Sequence, residues 1–242
     1  MKLKVIGSGS KGNCYLIEGE NEALIIECGV SFGLIQQALD FDFSKVVGCL
    51  VTHEHGDHCK AAKQLEKVGV AVWTAPETAK AIGLQFGFEL TAGQVSTMGR
   101  FQILPFDVVH GAIKPLGFLI RHPEMGVMLF ATDLGYSPYR FEGLNHILIE
   151  CNYNDDILHQ KIASGAISRK QLGHVISGHL SLETCIKLLK ANDLTQVRNL
   201  ILLHLSDANA NEREIIERVQ QEIGIRTLTA APRMEVPLGS PF

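Results

Sequence analysis

"LVTHEHGDHC", residues 50–59, sets three histidines, a glutamate and an aspartate within positions 53–58, directly after an apolar run. The segment Val46 to Val51, "VVGCLV", reads as a short buried strand, and Asp57 to Val68 carries a helix-like pattern with Asp57 placed as its N-cap. The cluster therefore falls on a strand-to-helix turn. His53 and His55, two apart, point to one side of an extended segment, while Asp57 and His58 enter from the helix start. One histidine in a polar loop is ordinarily a solvated surface group. Three with two carboxylates are the donor types of zinc and other first-row divalent metals, and the segment is expected to bind metal.

Outward from this turn the chain alternates strands and helices. The first quarter reads as strands "KLKVIG", "CYLIEG" and "ALIIECG" with Gly-rich breaks, then a helix over Ser31 to Leu39. Beyond the histidines come "VAVWTA", a Pro-started helix near Pro76 to Phe86, and strands "FQILPFDVVH", "GFLIRH" and "GVMLFATD". The second half offers "HILIEC", a helix around Leu182 to Ala191, "NLILLHL", a helix in "NEREIIERVQQEIG" and a last strand in "IRTLTAA". In that last helix Ile215, Ile216, Val219 and Ile223 form one apolar face, which reads as core packing. No repeat or low-complexity linker interrupts the pattern. A single layered α/β domain over residues 1–242 is the expectation.

Composition narrows the function classes. A hydrophobic content of 46% over 242 residues supports a sizeable core, and no run reaches the roughly 18 apolar residues of a membrane span. The opening "MKLKVIGSGS" passes from a strand straight into a Gly/Ser loop, unlike a signal peptide. A cytoplasmic protein with no membrane partner is expected. The six cysteines show no C-x-x-C spacing and fall mostly in apolar runs, against a disulfide framework. Cys28 and Cys59 flank ligand candidates, which adds a metal-tuning role as an alternative to packing. The net charge of −4 gives no bulk basic field of the kind that marks many nucleic-acid binders, although bound divalent ions would add local positive charge.

Metal ligands on one turn need partners elsewhere. His110 ends "LPFDVVH", Asp133 ends "MLFATD", and His204 ends or nearly ends "NLILLHL". Taken singly, a strand-end histidine is often satisfied by a carbonyl and a strand-end aspartate by a turn. Offered together from the ends of several strands, they are expected to converge on one site.

These residues carry a resemblance. "THEHGDH" with His110, Asp133 and His204 at these intervals is similar to the metallo-β-lactamase superfamily, and the likeness spans nearly the whole chain. It implies a four-layer αβ/βα sandwich with a two-metal site. It further implies that His53, His55 and His110 hold one metal, that Asp57, His58 and His204 hold the second, and that Asp133 bridges them. Glu27, in "IIECGV", stands where many members have an aspartate that supports the histidine loop from behind. The glutamate is one methylene longer, and both carboxylates accept the hydrogen bonds that such support requires.

Finer features point to a subfamily. "GSGSKGNCYLIE", "THEH" before "GDH", "ECNYN" at Glu150 to Asn154, and "SGHLSLE" followed by "LLHLSDAN" resemble the YycJ/WalJ-like bacterial DNA exonucleases. "SGHLS" also resembles ribonuclease J and its β-CASP relatives, which implies that His179 faces the scissile phosphate as a contact or general acid. A separate inserted β-CASP domain would not fit in this length. The resemblance implies a metal-dependent phosphodiesterase, a DNA exonuclease, in which a metal-bridging hydroxide attacks phosphorus. The expected catalytic residues are Asp57, Asp133 and His179, and the cofactors are two divalent ions per chain, zinc or manganese, with iron as a further option. Ser8, Ser10 and Asn13, in the Gly/Ser loop, join His179 as substrate-binding candidates, although a plain turn between strands would have the same composition. The nearest rival is a phosphodiesterase acting on a small cyclic phosphate. Thioesterases and other hydrolases share the fold, and a non-catalytic binding module would have lost ligands that are all present here.

Overall fold

The computed structural model describes residues 1–167 and 169–239, and residues 169–171 and His174 through their backbone alone. In chain order the elements are β1 (Lys2–Gly7), β2 (Cys14–Glu18), β3 (Ala23–Ile26), α1 (Phe32–Ala38), β4 (Val46–Leu50), α2 (Gly56–Cys59), α3 (Ala62–Lys67), β5 (Val72–Thr74), α4 (Pro76–Ile82), β6 (Phe88–Glu89), β7 (Ser96–Met98), β8 (Phe101–Asp107) and β9 (Leu116–His122). There follow β10 (Gly126–Ala131), β11 (His146–Glu150), α5 (Asp155–Ala163), α6 (Arg169–Gly178), α7 (Leu182–Lys190), β12 (Asn199–Leu203), α8 (Glu212–Ile223), β13 (Thr227–Thr229) and β14 (Glu235–Pro237). Two compact units result. One comprises Met1–Asp107, Ala112–Gly126 and the described chain from Ala230 on; the other comprises Val108–Gly111 and Val127–Thr229.

The first unit is built on a seven-stranded mixed sheet of order β14-β1-β2-β3-β4-β5-β6. From β14 to β3 the pairs are antiparallel, and β3-β4-β5-β6 run parallel. Sequence explains the change of character. In β1 burial alternates residue by residue, as on a strand with one solvated face. β3, "ALII", is buried throughout, as a parallel strand covered on both faces must be. Leu16, Ile25, Cys49, Leu65 and Val72 share one core with Ile35 of α1. β7, β8 and β9 form an antiparallel meander outside this sheet.

In the second unit β10, β11, β12 and β13 are parallel. β11 is buried at all five positions and β12 at four, with α7 burying Leu182, Cys185, Ile186, Leu188 and Leu189. Ser181 caps α7 by accepting from the Thr184 N–H, and Asn211 caps α8 by accepting from Glu214. Ile215 and Val219 of α8 are fully buried, as its apolar stripe requires.

Several boundaries differ from the expectations. Asp57 is no N-cap: α2 starts at Gly56 behind His55, and the helix expected to Val68 is broken into α2 and α3. α4 stops at Ile82 because Gly83 takes a left-handed C-cap. α5 and α6, whose polar sequences carry little apolar period, were not legible as helices. No helix among the described residues is long and apolar enough to cross a membrane.

Candidate active site

In the first unit the site residues gather at the carboxyl ends of β3 and β4. The chain leaves β4 through Val51 and Thr52, both buried, and presents His53 at 1% exposure. His53 Nδ1 lies 2.9 Å from Thr52 Oγ1, and its Nε2 lies 2.9 Å from His55 Nδ1. The His58 ring, fully buried at the start of α2, stands 4.2 Å from that of His53. Asp57 Oδ2 is 3.5 Å from His58 Nε2. Three imidazoles and a carboxylate are thus held together by one turn.

The support comes from two neighbouring loops. Glu27, just past β3, is fully buried, accepts from Thr52 N–H at 3.3 Å, and lies 3.5 Å from His58 Nδ1. The longer side chain therefore reaches the histidine turn at two points. Asn13 is also fully buried: its Oδ1 accepts from Gly9 N–H, its Nδ2 donates to the Asp57 carbonyl at 3.3 Å, and its Nδ2 stands 3.2 Å from His58 Nε2. Asn13 thus braces the Asp57–His58 end of the turn. Ser8, half-buried, accepts from the Tyr15 hydroxyl, and Ser10 is exposed. Glu54 accepts from Ile113 N–H at 2.9 Å. Cys28 is a packing residue: a hydrogen bond with Cys49, together with burial, pushes its thiol up well above the ordinary range. Burial likewise pushes Cys59 up to about 12, so neither offers a thiolate at neutral pH.

In the second unit the same logic recurs on three parallel strands. Register aligns Ala131 with Ile149 and Glu150 with Leu203, so the carboxyl ends of β10, β11 and β12 lie side by side. Asp133, Glu150 and His204 emerge there. Ligand atoms of Asp133, Glu150, His179 and His204 all lie within 4.8 Å of one another. His204 Nδ1 is 3.0 Å from Asp133 Oδ2, and His179 Nδ1 is 2.7 Å from Glu150 Oε1 and 3.4 Å from Asp133 Oδ1. His110 sits three residues beyond β8, and its Nδ1 donates to the Gly178 carbonyl at 2.8 Å, which leaves Nε2 as the lone-pair nitrogen. Burial holds His110 below the usual histidine range, against the opposite pull of Asp133.

Glu150 is the residue that sequence reasoning passed over. It is fully buried and accepts from Leu134 N–H at 3.1 Å and Leu180 N–H at 3.0 Å besides His179. Its signal was an acidic residue closing the otherwise apolar run "HILIE". Asn152, two residues on, donates to the His204 carbonyl at 2.8 Å. His174 lies outside the described side chains.

Imidazoles and carboxylates, buried or half-buried and crowded together, are the donor set of a divalent first-row metal. The residues present fit the group that the fold implies.

Residues 7–141, more than half of the chain, match the Metallo-beta-lactamase superfamily, and the chain belongs to it. It is a hydrolase of that fold, and the fold implies divalent-metal binding. The chain is 28% identical over 243 residues to Exodeoxyribonuclease YycJ of Bacillus anthracis, covering 93% of this chain and 90% of that protein. It is 26% identical over 253 residues to Exodeoxyribonuclease WalJ of Streptococcus pneumoniae serotype 2, with the same coverage. Among solved structures, the metallo-beta-lactamase fold protein YhfI of Bacillus subtilis superposes with a TM-score of 0.72 at 15% identity, covering 98% of this chain and 99% of that one. That likeness shows the fold.

Proposed function

We propose that residues 1–242 act as one metal-dependent phosphodiesterase domain whose substrate is DNA, digested from an end. The observation that carries the reading is the pairing of the half-buried His179 with the buried Glu150 beside Asp133 and His204. The two exodeoxyribonuclease relatives, each matched over 93% of this chain, support DNA as the polymer. Six free cysteines fit a reducing compartment such as the cytoplasm.

The ligand assignment implied by the resemblance is retained: His53, His55, Asp57 and His58 from the first unit, and His110, Asp133 and His204 from the second. Held by these residues, two divalent ions, zinc or manganese, would supply charge neutralisation at phosphorus and would bring the pKa of a water toward neutrality. The chain's own residues do the rest. Glu150 Oε1 accepts from His179 Nδ1, which fixes the ring and directs Nε2 toward the substrate. As water adds to phosphorus and the P–O bond to the leaving nucleoside breaks, His179 Nε2 donates the proton which that oxygen requires. Asp133 and Asp57 serve as carboxylate ligands, and Ser8 and Ser10 offer hydroxyls to a phosphate oxygen. Glu27 and Asn13 brace the histidine turn.

End-labelled single- and double-stranded DNA and RNA, cyclic nucleotides and bis(p-nitrophenyl) phosphate, each with zinc or manganese added, test the proposal. Stepwise release of nucleotides from DNA is expected. Strong turnover of a cyclic phosphate with no cleavage of any nucleic acid would transfer the site to a small-molecule phosphodiesterase.

A further inference from the structure

Beside His179 the second unit contains a cavity of about 430 Å³, within the range of small-ligand sites. Apolar and aromatic side chains share its lining with polar ones. Tyr136, Ile162 and Ile176 line it while remaining 58%, 41% and 52% exposed, and Leu158 and Tyr153 form buried parts of the lining. Three large apolar side chains left in water around one concavity mark a surface that a ligand covers. Asp155 and His159 add hydrogen-bonding groups. Ser181 is committed to capping α7.

The chemistry of this lining discriminates between parts of a nucleotide. Its described residues include no lysine or arginine and one carboxylate, which disfavours a phosphate. A flat, neutral group with aromatic faces and polar edges suits it: it can stack on Tyr136 and the isoleucines and meet Asp155 or His159 at its edge. His179 connects this cavity to the chemistry, because its ring both lines the cavity and pairs with Glu150 and Asp133.

We propose that the cavity lined by Tyr136, Ile162 and Ile176 binds the nucleobase of the nucleotide on the leaving side of the scissile bond. The proposal rests on the phosphodiesterase reading above, in which His179 donates its proton to the leaving oxygen. A base seated there is unstacked from its neighbours. Single-stranded or frayed ends are therefore better substrates than blunt duplex ends.

The test scans one abasic residue across the terminal four positions of a labelled single strand. In the parent, one position raises KM about 10-fold, the scale of one base–aromatic stack. That sensitivity disappears in Tyr136→Ala and returns in Tyr136→Phe, which restores the ring without the hydroxyl. Cleavage by the parent that is indifferent to every abasic position, or a Tyr136→Ala variant equal to the parent, overturns the base site and leaves the phosphodiesterase reading standing. If no DNA is cleaved with any metal, the phosphodiesterase reading fails instead. Equilibrium dialysis of metal-free protein with deoxyadenosine then decides the cavity: binding lost in Tyr136→Ala supports it, and absent or unchanged binding overturns it.

Discussion

Three of the site residues have left-handed backbones: Glu27 at φ 62°, Asp133 at 49° and His204 at 53°. Non-glycine residues enter this region at an energetic cost, and such strain persists where the surrounding structure over-determines it. Each follows the last residue of a parallel strand closely, so the chain turns sharply there and aims a side chain along the sheet's end. Asn152, bonded to the His204 carbonyl, is one of the groups that hold this geometry. Roles separate by substitution. On the proposed phosphodiesterase reading, Asp133→Ala is expected to abolish turnover of every phosphodiester and to lower bound metal. His179→Ala keeps its metal and loses about 10² to 10⁴ in kcat, the scale of a general acid. Glu150→Gln, which keeps the shape of the acceptor and removes its charge, loses about 10- to 100-fold with metal content unchanged. Elemental analysis beside single-turnover kinetics checks the series; equal metal loss in all three variants would contradict it.

At the scale of elements, the histidine turn owes its position to lacing between segments distant in sequence. Cys28 N–H donates to the His58 carbonyl at 2.8 Å, Ala61 N–H to the Cys28 carbonyl at 2.9 Å, Gly29 N–H to the Asn13 carbonyl at 2.9 Å and Asn13 N–H to the Asp57 carbonyl at 2.8 Å. The loop after β3 and the loop before β2 thus clasp α2, a helix of four residues that has no stability of its own. Gly29 makes the clasp possible, since a Cβ there would stand 1.7 Å from the Asp57 carbonyl oxygen. Gly29→Ala is expected to destabilise by about 1 to 3 kcal/mol or more through overpacking, and to reduce metal retention by displacing Asp57 and His58. Gly33→Ala in α1, where nothing lies within 4 Å, is the control and leaves both unchanged or slightly improved. Urea denaturation with metal analysis distinguishes them.

On the scale of the whole molecule, charge and pH response follow from groups far apart in sequence. Glu22, 7% exposed, accepts from Arg100 N–H at 2.8 Å and lies 2.9 Å from His122 Nε2. Burial works to raise its carboxyl, but the Arg100 and His122 contacts prevail and hold it below the ordinary value of 4.5. A carboxyl depressed on folding stabilises the native state above its unfolded pKa and loses that contribution as pH falls through the folded one. Thermal unfolding of the parent should therefore drop between about pH 5 and 3, and Glu22→Gln should flatten that limb. An unchanged acid limb would show that other carboxylates dominate. For the proposed DNA substrate, the net charge of −4 predicts an affinity that rests on few lysine or arginine contacts and falls only shallowly with added salt. Fluorescence titrations across salt concentrations measure the slope, and a steep one would reveal a basic surface.

The sequence by itself determined the α/β class and the strand that delivers the histidines, and it singled out His53, His55, Asp57, His58, His110, Asp133 and His204 as the ligand candidates that the family resemblance implies. The reason is local: period-two and continuous apolar runs define strands, and a density of imidazole and carboxylate on one turn has little other chemical use. The end of β8 before His110, the break between α2 and α3, and helices α5 and α6 were set by tertiary contacts, where short or polar segments carry no strong period of their own. Glu150 shows the limit most clearly. A glutamate closing an apolar strand is chemically mute until β10, β11 and β12 align their ends and bring Leu134 N–H, Leu180 N–H and His179 within reach of its oxygens. Asn13 changed from a substrate-loop candidate to a brace for the same reason: burial and partner distance belong to the folded chain, because they depend on residues more than forty positions away.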